Sequence, residues 1–236
     1  MKRCLSCVCL ILAALAGAAA RAQSDAAPIV HHDLVVTLDP QARTLAVLDR
    51  IRFAAPPAGG GAGLAFTLDA GLEPSLEDPQ ARLVLERQGS APAPFKRYAI
   101  MPGTSRETLT LRYRGRLAQR SGAGPALLGH IGPEGVLMTG AGRWYPRFAD
   151  ERVTFTLEVR MPAGWAAVSQ GEGLQHASDA AGSVWRWREG EPQEDIVLAA
   201  NRFTVYSKST AVAEAMVFLL EPDEAIAGRY LEATAR

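Results

Sequence analysis

The four histidines are the first residues to ask for chemistry. His31 and His32 are adjacent and followed by Asp33, three groups that can each ligate a metal. A zinc site on a helix places two imidazoles at i and i+4 with a glutamate between them as general base, the His-Glu-x-x-His pattern. The sequence contains no such segment. Neighbours on a strand point to opposite faces, so His31 and His32 do not share one metal; the expectation is His31 exposed on one side and His32 capping the sheet. His130 lies in the glycine-rich run Leu128-Gly129-His130-Ile131-Gly132 and His176 in a turn, both read as surface histidines without a second ligand at metal spacing. Gly59-Gly60-Gly61-Ala62-Gly63 is not followed by Lys-Ser/Thr, which excludes a phosphate loop. Ser121 and Ser169 lack a nucleophile elbow or a nearby base. Glu73, Glu77 and Asp78, like Glu189, Glu191 and Glu194, read as solvated loop charges. Trp165, Trp185 and Trp187 could line a peptide or glycan groove, but their setting in an amphipathic sheet favours packing. The chain thus offers no catalytic, cofactor-binding or metal-ligating set of its own.

The elements that would position any site are strands. His32, Leu34, Val36 and Leu38 share one face of a first strand closed by Asp39-Pro40. Leu45, Val47, Ile51 and Phe53 alternate on a second, with Arg50 and Arg52 on its other side. A Pro/Gly-rich loop follows at 56–63, then strands are expected at 64–68, 83–87, 98–101 and 107–113. The clearest strand places Phe155, Leu157, Val159 and Met161 on one face and Thr154, Thr156, Glu158 and Arg160 on the other. A Pro162-Ala163-Gly164-Trp165 turn ends it. Strands at 184–188, 196–200, 203–207 and 215–220 complete the set. Period-two alternation punctuated by Gly and Pro predicts a mainly β protein, an antiparallel β-sandwich or saddle-shaped sheet, with a short C-terminal helix. That helix is announced by Glu221-Pro222-Asp223, with Asp223 as N-cap and Ile226, Tyr230 and Leu231 on one face. It reads either as the start of a further domain or as a helix docked on the sheet.

The first residues point to a compartment. Lys2 and Arg3 precede an apolar run, and Ala20-Arg21-Ala22 is a small-residue cleavage site, the pattern of a secretory signal peptide cut after Ala22. The expected division is 1–22 signal peptide, 23–221 β domain, and 222–236 linker and helix start. Cys4, Cys7 and Cys9 would leave with the leader, which removes disulfides and thiolate chemistry from the mature chain. Lys2, Arg3 and Arg21 would leave with it too, from 25 basic residues against 25 acidic ones. A near-neutral exported protein has no electrostatic case for nucleic acid, and no membrane span is expected after cleavage.

One stretch carries a resemblance. Arg143, Trp144, Tyr145 and Pro146, then Asp150, the strand ending at Pro162, and Gly164, Ser169 and Gly171 follow an order that resembles the β-rich domain preceding the catalytic domain in the aminopeptidase N family of zinc metallopeptidases. The resemblance runs from about His32 to Tyr230. It implies a non-catalytic domain that scaffolds and walls the active-site cleft, with a catalytic metallopeptidase domain as its partner in a full-length parent and peptides as ligands. It implies zinc only in that full-length protein. In the family this domain also supplies a glutamine or glutamate that binds the substrate's free amine. Gly140 stands at that place here and offers no side-chain acceptor, and Arg147 replaces a cysteine after the proline. Beside this reading stands another: a free-standing exported β-sandwich module that binds a peptide, a glycan or a protein partner.

Overall fold

A computed structural model describes residues 27–54, 64–86, 94–102, 107–118, 129–210 and 214–234. The expected leader with its cysteines, the loop at 56–63 and Ser121 lie outside these residues. The alternation read from sequence becomes strands β1 (Ile29–Asp39), β2 (Thr44–Phe53), β3 (Ala65–Asp69), β4 (Leu72–Leu76), β5 (Arg82–Leu85), β6 (Phe95–Met101) and β7 (Thr108–Gly115). Then come β8 (Gly129–Gly132), β9 (Gly135–Met138), β10 (Arg152–Met161), β11 (Ala166–Ser169), β12 (Glu172–Ser178) and β13 (Ser183–Gln193). The series closes with β14 (Leu198–Asn201), β15 (Thr204–Ser209), β16 (Glu214–Leu219) and the helix α1 (Glu224–Thr234).

A seven-stranded sheet in the order β12-β13-β10-β1-β2-β7-β4 is the frame. Its inner face carries the core: Leu34, Val36, Val47, Ile51, Leu111, Phe155, Leu157 and Val159 are all buried, and a period of two puts them there. A three-stranded sheet, β3-β6-β5, and a four-stranded sheet, β11-β14-β9-β8, contribute Phe66, Leu68, Ile100, Met138, Leu198 and Ala200 to the same core. The protein is mainly β with antiparallel sheets and one terminal helix. One pairing departs from the antiparallel expectation. β1 runs parallel to β10, with Val30 opposite Val153 and Leu34 opposite Leu157, and both are buried within the sheet rather than at its edge.

Several short strands carry no alternation in the sequence that would announce them. β4 contains Pro74, which cannot donate to a ladder and belongs on a sheet edge, where β4 lies. β8 and β9 are rich in glycine and form a hairpin, and β12 is exposed along its whole length, so it shows no alternation. Glu73 lies on β4, and Glu189 and Glu191 on β13, rather than in loops. The turn after β10 needs Gly164 at φ +79, a left-handed conformation open to glycine at little cost. The side chain of Asp223 caps α1 by accepting the Ile226 N–H at 2.8 Å. α1 rests on the β15–β16 hairpin, with Ala227 and Leu231 buried, Ile226 half-buried and Tyr230 61% exposed. No helix among the described residues is long and apolar enough to cross a membrane.

Candidate functional site

Arg143 to Glu151 form a corner between β9 and β10, and each residue's position has a local cause. A 3₁₀ turn, Gly140–Gly142, ends in Arg143 at φ 56, where its N–H bonds the Gly140 carbonyl. The chain then runs beside β3 as a further short edge. The Asp69 N–H donates to the Arg143 carbonyl, and Thr67 and Arg147 exchange both backbone bonds, at 2.8 and 3.0 Å. This edge turns Trp144 and Tyr145 into the core, where neither is exposed. The Trp144 indole N–H donates to the Ile196 carbonyl at 3.1 Å. The Tyr145 hydroxyl accepts from the Ile196 N–H at 3.2 Å and from Arg147 Nη1 at 3.1 Å. Burial pushes the Tyr145 phenol up to about 12, although Arg147 and the Ile196 amide oppose the shift.

Arg147 joins the corner to its surroundings. It donates to the Glu194 carbonyl at 3.0 Å and forms an ion pair with Glu151 at 2.7 Å. Glu151 in turn accepts the N–H groups of Phe148 and Ala149 at 3.2 and 2.7 Å, so a carboxylate with 1% side-chain exposure is fully engaged. Asp150, the acid singled out in the sequence, faces solvent, while its neighbour Glu151 is the buried one. Pro146 is buried, and Arg143 places its guanidinium 5.8 Å from the Phe95 ring.

Gly140 is buried and cannot carry a side chain. A Cβ there would lie 2.3 Å from Asp195 Cβ and 3.0 Å from the Tyr145 hydroxyl. Its N–H donates to Asp195 Oδ2 at 3.1 Å. The structure therefore sets a carboxylate from the loop before β14 beside the position at which the sequence shows only glycine. Sequence order gave no sign of this, because Asp195 is 55 residues away.

Beneath the corner lies a polar seam across the inner face. His32 does not cap the sheet; it is fully buried, with Nδ1 2.9 Å from Asp49 Oδ2 and its ring edge-on to Tyr145 at 5.3 Å. His31 lies on the opposite, outer face, as expected, half-buried, and reaches Thr154 at 2.8 Å and Asp33 at 3.1 Å. Burial raises the Asp49 carboxyl, against the pull of His32. The Tyr113 phenol is pushed well up by burial, with Asp49 and Tyr145 adding to the shift. His32 Nε2, Asp49 Oδ1 and the Tyr113 hydroxyl have no hydrogen-bond partner among the described residues. In the sequence Asp49 interrupts the apolar alternation of β2, and an inward acid on one strand beside an inward histidine on the next is the signal that marks the pair.

The other candidates resolve simply. His130 contacts Glu134, its fourth neighbour, at 2.5 Å, and exposed His176 stacks on Trp185 at 4.5 Å. Ser169 donates to the Val197 carbonyl. Trp165, Trp185 and Trp187 are buried. Among the described residues no group of three or more His, Cys, Asp or Glu is placed to hold a metal ion.

The arrangement is a braced corner: buried aromatic rings, a buried ion pair, and one carboxylate, Asp195, half-exposed beside a glycine. Its fold is that of the N-terminal region of M1 aminopeptidases. The chain is similar in structure to an M1 zinc metallopeptidase from Deinococcus radiodurans bound to a Tyr-Ser-Ala substrate, with TM-score 0.54 and 16% identity, over 78% of this chain and 44% of that one. It is also similar to an aminopeptidase N family protein from Idiomarina loihiensis, with TM-score 0.51 and 10% identity, over 87% and 35%. Yeast LTA4 hydrolase matches with TM-score 0.51 and 13% identity, over 82% and 31%. The chain therefore spans less than half the length of these proteins. No protein-family model matches its sequence, and no curated protein matches it.

Proposed function

We propose that this chain is the non-catalytic N-terminal β domain of an exported aminopeptidase N-like zinc metallopeptidase, scaffolding and walling the cleft of a catalytic domain encoded outside this stretch. The similarity to peptidases that extend well beyond the matched region carries the reading. The absence of His-Glu-x-x-His from the sequence supports it, since without that helix the chain has no zinc-activated water. In this reading the corner from Arg143 to Glu151 is the rigid part of the wall. Asp195, held at Gly140, supplies the acceptor for a substrate ammonium that glycine cannot. Purified alone, the chain is expected to bind no stoichiometric zinc and to cleave no aminoacyl-anilide. One equivalent of zinc by elemental analysis, or chelator-sensitive hydrolysis, would refute the assignment. A coding sequence adjoining this stretch with a His-Glu-x-x-His segment would supply the partner domain.

A second reading, a free-standing exported module that binds a peptide, glycan or protein, is favoured by one observation. α1 already buries Ala227 and Leu231 on the β15–β16 hairpin. A monodisperse chain that unfolds in one cooperative step, with no peptidase-like coding sequence beside it, would select this alternative.

A further inference from the structure

The outer face of the seven-stranded sheet holds a trough of about 800 Å³ that the peptidase reading does not use. Its shape follows from side-chain length along neighbouring strands. Val35 and Thr37 on β1 lie opposite Leu48 and Ala46 on β2, and these short residues form the floor. Arg160 on β10 pairs with Thr37 on one side, and Arg114 on β7 pairs with Ala46 on the other. The long walls thus stand three strand spacings apart, about 14 Å between backbones. Arg112 lines the same wall as Arg114, and Arg50 lies at one end of the floor.

Charge is uneven across this trough. Among its described lining residues Glu73 is the acid, against Arg50, Arg112, Arg114 and Arg160. Glu77 pairs with Arg112 and Glu158 with Arg160. Arg50 and Arg114 form no ion pair among the described residues, and both are exposed. Arginine presents a planar fork that matches a carboxylate with two parallel hydrogen bonds. The backbone N–H groups of the floor are committed to the sheet ladders, so they cannot converge on a single phosphate as a helix N-terminus or glycine loop does. Separated forks over an apolar floor instead suit separate carboxylates on one extended chain. Arg50 lies opposite Thr110, four residues along β7 from Arg114, and residues four apart on an extended chain share that spacing of about 13 Å.

We propose that this trough binds an extended acidic peptide segment, with its carboxylates on Arg50 and Arg114 and its backbone over Val35, Ala46 and Leu48. The site is distinct from the corner and does not depend on the presence of a catalytic domain. It is tested by fluorescence anisotropy of the chain with a labelled ten-residue glutamate peptide in 0.15 M salt, a level that screens loose surface attraction within about 8 Å. Saturable binding is expected, weakened at least tenfold in the Arg50→Gln/Arg114→Gln double variant. Arg188→Gln, on the same face but paired with Glu172 outside the trough, should leave it unchanged. Binding that survives the double variant, or that Arg188→Gln weakens equally, overturns the site. Tripolyphosphate displacing the peptide at equal concentration overturns the choice of carboxylate, and binding to phosphatidylglycerol vesicles without binding to the peptide overturns the choice of a peptide. Absence of all binding overturns the proposal.

Discussion

The two faces of β1 handle the same side-chain chemistry in opposite ways. Outside, His31 and Asp33 sit with Thr154, Thr156 and Arg52, all at least partly exposed, and His31 and Asp33 each have more than one partner. Inside, His32 and Asp49 have each other, and each has one atom without a partner among the described residues. Adjacent residues on one strand thus enter two electrostatic regimes. A charge outside is weakly held because water competes for it; a charge inside is costly to bury and costly to strip of its partner. The consequence is that structural specificity resides inside, while the outer face remains open to recognition.

That contrast can be broken most severely at Asp49. Asp49→Ala, which leaves His32 buried without its acid, should destabilise the chain by about 3–5 kcal/mol in urea unfolding. The double variant His32→Leu/Asp49→Leu should recover most of the loss, because an apolar pair carries no desolvation cost. If the double variant is as unstable as the single one, packing rather than charge governs the seam. Tyr145→Phe comes next: it leaves the buried Ile196 N–H without its acceptor and should cost about 1–3 kcal/mol. Glu158→Gln, on the outer face and bridging Arg160 and Arg186, should cost under about 1 kcal/mol by the same measurement.

The smallest effects appear in pH dependence, where the two faces should differ in sign. Burial raises Asp33 and Glu158, yet hydrogen bonds and nearby cations more than offset it and hold both carboxyls below their usual range. Their contribution is present above about pH 4 and is lost as pH falls through the lowered values. Asp49 has a raised value, so its proton-linked contribution is present at low pH and is lost as pH rises through that value. Asp33→Asn should therefore flatten the acid limb of a stability–pH curve, and the Leu double variant should steepen it. On the alkaline side Tyr145 holds its proton to about 12, so stability should fall from about pH 10 upward. Tyr145→Phe should reduce that slope.

The long strands were legible because burial imposes alternation. Phe155, Leu157, Val159 and Met161 lie inward as their spacing requires. The Trp144-Tyr145-Pro146 corner was legible as part of a family pattern, and it is buried because aromatic mass at a turn needs a cavity to fill. What escaped the sequence depended on contacts between distant segments. Arg147 and Glu151 look like surface charges until β3 and the Glu194 segment close over them, and Asp195 reaches Gly140 only through the fold. The parallel pairing of β1 with β10 has no local signature either, since apolar alternation serves both strand directions alike.

That pairing also has a consequence in time. β1 is central in the sheet and gains one neighbour, β2, almost at once, but the partner on its other side is more than 120 residues further along. Loop closure over that length must precede the contacts that stabilise it, so the frame completes late and slowly. Until then one long edge of β1 is unpaired, an open template for another chain. During synthesis, the interval between emergence of Asp39 and of Met161 is therefore when this protein depends most on being kept from its own copies.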